Sequence, residues 1–202
     1  MDDIRDRILH AAARVYAEAG FRGATTRRVA QEAGVNEITL FRHFGTKEAL
    51  VKAALKASGR GVPVVPLEPG DPEAELNSWA LNIYRHWYQN RLLVSQVLGD
   101  LAEHPELAPD ICEEPSCEHA VLSRYLERMR ERGLTSRPFV PDAAAGLLLG
   151  GLFTHALLRD HFTKPGLPPV EEVIRQFVAL LLGAIGAGAG AGAGAESAKG
   201  KK

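Results

Sequence analysis

Residues 25–47 concentrate side chains whose types and spacing suit a phosphodiester backbone and the edges of bases. Thr25, Thr26, Arg27 and Arg28 form one group, Asn36, Glu37, Thr39, Arg42 and His43 a second, and Lys47 follows. Arginine and lysine donate charge-assisted hydrogen bonds to phosphate oxygens, while Thr, Asn, Glu and His supply the donors and acceptors that base edges match. Ile38 lies among them and could meet a thymine methyl, a weaker assignment than the polar ones. An ordinary solvated face has much the same composition, so residue type alone leaves both readings open.

The elements that must position these side chains are legible nearby. Thr25 can cap a helix with its hydroxyl, and Val29, Ala30 and Ala33 then recur at helical spacing. Gly34 stands where a helix ends in the left-handed region. Asn36 caps the next helix, to which Ile38, Leu40, Phe41 and Phe44 give an apolar side before Gly45 ends it. Thr46 caps a further helix with Glu48 in its first turn, where the dipole favours negative charge. Two short helices joined by a tight turn form a helix-turn-helix, whose second member lies in the DNA major groove.

Residues 8–55 resemble the DNA-binding domain of the TetR-type (tetracycline-repressor-like) transcriptional regulators. The resemblance rests on AGF (19–21), TT (25–26), VAQEAGV (29–35), TLFRHF (39–44) and TKEAL (46–50), and covers roughly the first quarter of the chain. It implies that Thr25 and Lys47 hold phosphates, and that Arg27, Glu37, Thr39 and His43 face bases or backbone in the groove. One position departs from the pattern. Where the family usually has a tyrosine whose hydroxyl contacts a phosphate, this chain has Phe41, which cannot make that bond; Arg42 beside it is the candidate replacement.

The charge distribution agrees in sign. The chain of 202 residues has a net charge of −1, but residues 1–57 hold ten Lys/Arg against seven Asp/Glu, so a mildly basic head precedes an acidic remainder. That arrangement suits a protein that meets DNA through one end. The start, MDDIRDRIL, is acidic and amphipathic rather than a secretory leader, and the expected location is cytoplasmic. The uncharged stretch 177–195 has the length of a membrane span, but its second half alternates Gly and Ala. Each Gly costs a helix about 1 kcal/mol relative to Ala. The expectation is a buried helix ending near Ile185 and a disordered Gly/Ala tail over 186–202, with no membrane partner. Cys112 and Cys117 sit in CEEPSCEH with His119 and His104 nearby. The spacing matches no strong zinc pattern, and two reduced cysteines are the simpler reading beside a metal or thiol switch.

Strand signals are absent, and the chain is expected to be all-α with about nine helices. These form an N-terminal helix-turn-helix head over 1–58, a Gly/Pro-rich linker over 59–72, and a helical ligand-binding and dimerisation body over 73–185. The helices are expected at about 3–19, 47–58, 73–90, 92–103 and 117–132, besides the helix-turn-helix pair and two long apolar helices at 142–162 and 169–185. The last two are apolar nearly all round, which implies a second partner. Gly146, Gly150 and Gly151 would allow close approach, and the partner read here is a second copy of the chain; a well-buried monomer core is the alternative. Trp79, Ile83, Trp87, Leu98, Leu101, Tyr125, Leu126 and Phe153 are candidate walls of a pocket, with His86, His155 and Tyr125 as its polar groups, although such a stripe is more often plain core. No G-x-S-x-G, H-E-x-x-H or P-loop occurs, and none of the seven histidines has Glu three residues before it, which removes the di-iron bundle pattern. The chain is therefore read as a ligand-responsive dimeric repressor of a palindromic operator, with no enzymatic activity, cofactor or metal. A helical adaptor that has lost DNA binding is the alternative.

Overall fold

The computed structural model describes residues 4–59, 65, 68–105, 117–161, 166 and 168–187. Among them the chain is all-helical: α1 Ile4–Gly23, α2 Thr26–Ala33, α3 Glu37–Phe44, α4 Lys47–Ser58, α5 Pro72–Gln89, α6 Arg91–Asp100, α7 Glu118–Glu131, α8 Pro141–Leu158 and α9 Val170–Ile185. Cys112, half of the expected linker and residues 188–202 of the expected tail lie outside the described residues. The chain divides into two units. The first comprises residues 1–62 and 87–114, the second 63–86 and 115–202, so the division falls inside α5.

The first unit is organised by α1. Its apolar stripe of Ile8, Leu9, Ala12, Val15 and Tyr16 is buried, and α2, α4 and α6 all pack against this helix. Val29 and Ala30 of α2, Leu40 of α3, Leu50, Val51 and Ala54 of α4, and Leu93 and Val97 of α6 complete the core. The regular part of α1 ends near the expected Ala19. Gly20 then adopts φ 66°, ψ −175°, and helical turns resume to Gly23. The backbone conformation requires this glycine, and Gln96 lies close beside it. Its backbone lies where L side chains are strained, and a Cβ there would come within 2.6 Å of Gln96 Nε2. Helix α6 is shorter than expected, ending at Asp100 rather than near residue 103.

In the second unit, α8 packs between α7 and α9. Leu122, Leu126 and Met129 of α7, Ala145, Leu148, Leu152 and Ala156 of α8, and Ile174, Val178 and Leu182 of α9 are its buried core positions. The start of α5 is tied in by Glu75, whose carboxylate accepts the Tyr125 hydroxyl at 2.5 Å and the N–H groups of Gly70 and Asp71 at 3.0 and 3.1 Å. The segment Pro141–His161, which is α8 with one 3₁₀ turn, is long and apolar enough to cross a membrane by length and composition. The membrane-length stretch noted in the sequence, 177–195, instead begins within α9, which ends at Ile185.

Burial lowers the pKa of His86, against the opposing charge of Glu118, and lowers that of His155, where Arg159 adds to the effect. Both therefore favour the neutral ring in the folded chain.

Two predictions follow from this packing. Gly20→Ala should destabilise the chain by about 1–3 kcal/mol, lowering the thermal midpoint by about 2–4 °C for each kcal/mol; an unchanged midpoint would remove the constraint assigned to Gly20. The histidine contribution should be fully present above the unfolded-state value of about 6.5 and be lost as pH falls from there through the lowered folded-state values, because over that interval the unfolded chain binds protons that the folded chain refuses. Thermal melts at pH 5.5 and 7.5 should show this loss, and the His86→Gln/His155→Gln double variant should reduce it.

Candidate nucleic-acid interface

Three side-chain caps build the motif. Thr25 Oγ1 accepts the N–H of Arg28 at 3.2 Å, Asn36 Oδ1 that of Ile38 at 2.9 Å, and Thr46 Oγ1 that of Ala49 at 3.1 Å. Each satisfies a helix-end donor that would otherwise be orphaned. Gly34 closes α2 at φ 65°, ψ 38°, and its N–H reaches the carbonyls of Ala30 and Gln31. Residues 34–36 are thus the whole turn between the two helices. The Arg7 guanidinium donates to the carbonyl of Ala33 at 2.8 Å, fixing the end of α2 to α1.

The outer face of α3 differs from the apolar side expected of it. Only Leu40 is buried. Ile38 is 76% exposed and Phe41 45% exposed, while Phe44 is half-buried with the Arg5 guanidinium 5.6 Å from its ring centre. A helix of eight residues needs only one side to seat on α2 and α4, so the remaining apolar side chains point outward. Arg42 and His43 are exposed beside them and Thr39 is half-buried. Among the described residues Arg42 and Arg27 make no hydrogen bond or ion pair. Exposed apolar and cationic groups interleaved on one short helix can meet thymine methyls and acceptor edges together.

The remaining candidates are more constrained. The Thr26 hydroxyl donates to the Glu37 carboxylate, linking the starts of α2 and α3. Arg28 is paired with Glu18 across an exposed gap. Thr25 uses its oxygen as a cap and keeps its O–H to donate. Lys47, half-buried at the start of α4, holds its ammonium 4.4 Å from the Phe21 ring centre and 3.5 Å from the carbonyl oxygen of Arg22. Neither partner was legible beforehand, because Arg22 contributes through its backbone carbonyl and Phe21 reads as a core residue.

The pocket candidates fall differently. In the second unit, Trp79, Ile83, Tyr125 and Leu126 are buried core, and His86 and Phe153 are half-buried. The Tyr125 hydroxyl is spent on Glu75, and burial with that carboxylate pushes its pKa up. In the first unit, Trp87 and Leu101 are half-buried, whereas Leu98 is 47% exposed. The groove found in the second unit has a volume of about 500 Å³ and is lined by Leu147, Gly150, Gly151, Thr154, His155 and Phe177. Of the residues named from the sequence as walls or polar groups, His155 alone belongs to it. Among the described residues no group of three or more His, Cys, Asp and Glu could hold a metal ion, and Cys117 is a free thiol.

Comparison with known proteins agrees with this geometry. The model of bacterial regulatory proteins of the tetR family matches residues 8–54. The HTH-type transcriptional regulator UidR of Escherichia coli K12 is 37% identical over 166 residues, covering 77% of this chain and 80% of that protein. The HTH-type transcriptional repressor KstR2 of Mycolicibacterium smegmatis is 24% identical over 189 residues, covering 90% of each chain. The solved structure of the flavonoid-responsive regulator FrrA superposes with a TM-score of 0.67 at 25% identity, covering 90% of this chain and 96% of that one. Identity at the level of UidR extends over most of a regulator's length, well beyond the helix-turn-helix, and the chain belongs to the tetR family of bacterial regulatory proteins.

Proposed function

We propose that this chain is a dimeric, ligand-responsive repressor that occupies a two-fold DNA operator through α3. The observation that carries the reading is the outer face of α3, where Ile38, Arg42 and His43 stand exposed while only Leu40 serves the core. Arg27 and Arg42 supply cations, Thr25 and Lys47 sit at the starts of α2 and α4, and helix N-termini favour phosphate. Thr26, Arg28, Asn36, Glu37 and Thr39 flank this face. Glu37 enters it already bonded to Thr26, so it orients the motif as well as offering its second oxygen to a base.

The proposed dimer forms through α8 and α9. Leu147 is 72% exposed and Leu180 69% exposed. They belong to stripes of small or apolar residues, Ala143, Gly146, Leu147, Gly150 and Leu158 on α8 and Ala179, Leu180, Gly183 and Ala184 on α9, all of them exposed. Gly150 has open space where a Cβ would stand. An apolar surface of this kind on paired helices supports an isologous helical interface. Two heads so joined would read half-sites about 34 Å apart or a multiple of it.

The proposed effector is a small apolar or amphipathic molecule held in the second unit among Trp79, Ile83, His86, Tyr125, Leu126 and Phe153. FrrA, by its name, responds to a flavonoid. Ile83 and Leu126 are fully buried here, so an effector at this place must open the core to enter. It would then bind the opened form better than the closed one and shift the population accordingly. Coupling to DNA affinity would be reciprocal, about 1–3 kcal/mol in typical cases.

A mobility shift against DNA upstream of the coding region tests the reading. Lys47→Ala should weaken binding to every sequence alike and flatten the salt dependence by about one unit of slope. Arg27→Ala should cost about 1–3 kcal/mol and relax preference at one base pair in each half-site. The opposite pattern would reverse the two roles. Replacing Leu147 and Leu180 by Glu should leave a folded monomer by sedimentation, with the sequence-specific shift lost; a double variant that remains a dimer would place the interface elsewhere.

A further inference from the structure

Where the Gly20 kink interrupts α1, the backbone N–H of Phe21 leaves the helical ladder and donates to Asp100 Oδ2 at 2.8 Å. Asp100 is the last residue of α6 and lies 79 positions along the chain. Two further groups stand near its carboxylate. Gln96 Nε2 approaches Oδ1 at 3.4 Å, and the buried phenol of Tyr16 lies beside the group. The Phe21 ring is buried and lies against His104 in a tilted arrangement at a centroid distance of 4.3 Å. The same ring lies under the Lys47 ammonium, which also reaches the carbonyl of Arg22. A continuous set of contacts thus runs from the end of α6 through Phe21 and Arg22 to the one cation at the start of α4, all within the first unit.

We infer that Asp100 is a positioning residue for DNA binding, fixing the Phe21–Arg22 backbone and ring on which the Lys47 ammonium is seated. The inference rests on the proposed role of Lys47 as a phosphate contact. The physical requirement is placement. A lysine is a flexible point charge on four methylenes, and a phosphate contact needs that charge held where the backbone passes. Phe21 and the Arg22 carbonyl hold it there, and they stay in place because the displaced N–H of Phe21 has a fixed acceptor. Without the carboxylate that N–H would need another partner, and the residues after Gly20 would shift toward one. Arg22 and Glu103 form an exposed ion pair at 3.0 Å over the same junction, but exposed pairs hold geometry weakly.

The test is binding to short random-sequence duplex DNA, followed by fluorescence anisotropy across a salt titration, for the full chain and five variants. Asp100→Ala should lose as much affinity as Lys47→Ala and flatten the salt slope by about one unit per protomer. The Asp100→Ala/Lys47→Ala double variant should bind no more weakly than Lys47→Ala alone, since both act through one contact. Asp100→Asn, which keeps an acceptor oxygen for the Phe21 N–H, should bind as the parent does. Phe21→Leu, which keeps the bond and removes the ring, should flatten the slope as Asp100→Ala does, and decides the matter if Asp100→Ala does not fold. If Lys47→Ala flattens the slope while Asp100→Ala and Phe21→Leu keep the parental one, or if the losses add in the double variant, the inference is overturned and the proposed function stands. If Lys47→Ala itself keeps the parental slope, both fall.

Discussion

Burial of one side of α1 is the constraint on which the DNA-facing geometry depends. Ile8, Leu9, Ala12, Val15 and Tyr16 present a single apolar stripe, and α2, α4 and α6 each cover part of it. Helix α3 touches α2 and α4 and is not among the helices that pack mainly on α1. With eight residues and one buried side chain, it has little stability of its own. Its orientation is therefore inherited from the helices that α1 holds. This division of labour frees the outer side of α3 from any packing duty, and explains why Ile38 and Phe41 can face outward in a folded chain.

What the sequence disclosed was local. Thr25, Asn36 and Thr46 were legible as caps because a cap and its N–H partner lie two or three residues apart, and Gly34 because a left-handed helix end has one cheap residue. The apolar character of α8 and α9 was legible by composition. Which of their apolar residues stay exposed depended on tertiary packing, and it is the stripe through Leu147 and Leu180 that remains uncovered. The seating of Lys47 was not legible. It depends on Phe21, a residue that reads as core, and on Asp100, whose partner is a backbone N–H exposed by a kink far earlier in the chain.

The pocket candidates show a different limit. Periodicity tells that Trp79, Ile83 and Leu126 share an apolar environment, but a packed core and a cavity wall have the same period. Ile83 and Leu126 have no exposed surface, and Trp79 very little. Tyr125, chosen for its hydroxyl, uses it to anchor the start of α5 through Glu75. Leu98 shows the reverse case, an apolar residue of α6 left about half exposed. In physical terms, an effector placed among these particular residues would have to be accommodated by opening close-packed helices.

The central claim is that a pair of these chains sets two copies of α3 into successive major grooves. Hydroxyl-radical footprinting of the dimer on DNA flanking its own coding region tests this most directly. Protection should appear as two patches on one face of the duplex, their centres about 34 Å apart or a multiple of it. Folded dimer that leaves every backbone position equally cleaved, at salt low enough for non-specific binding, would contradict the account.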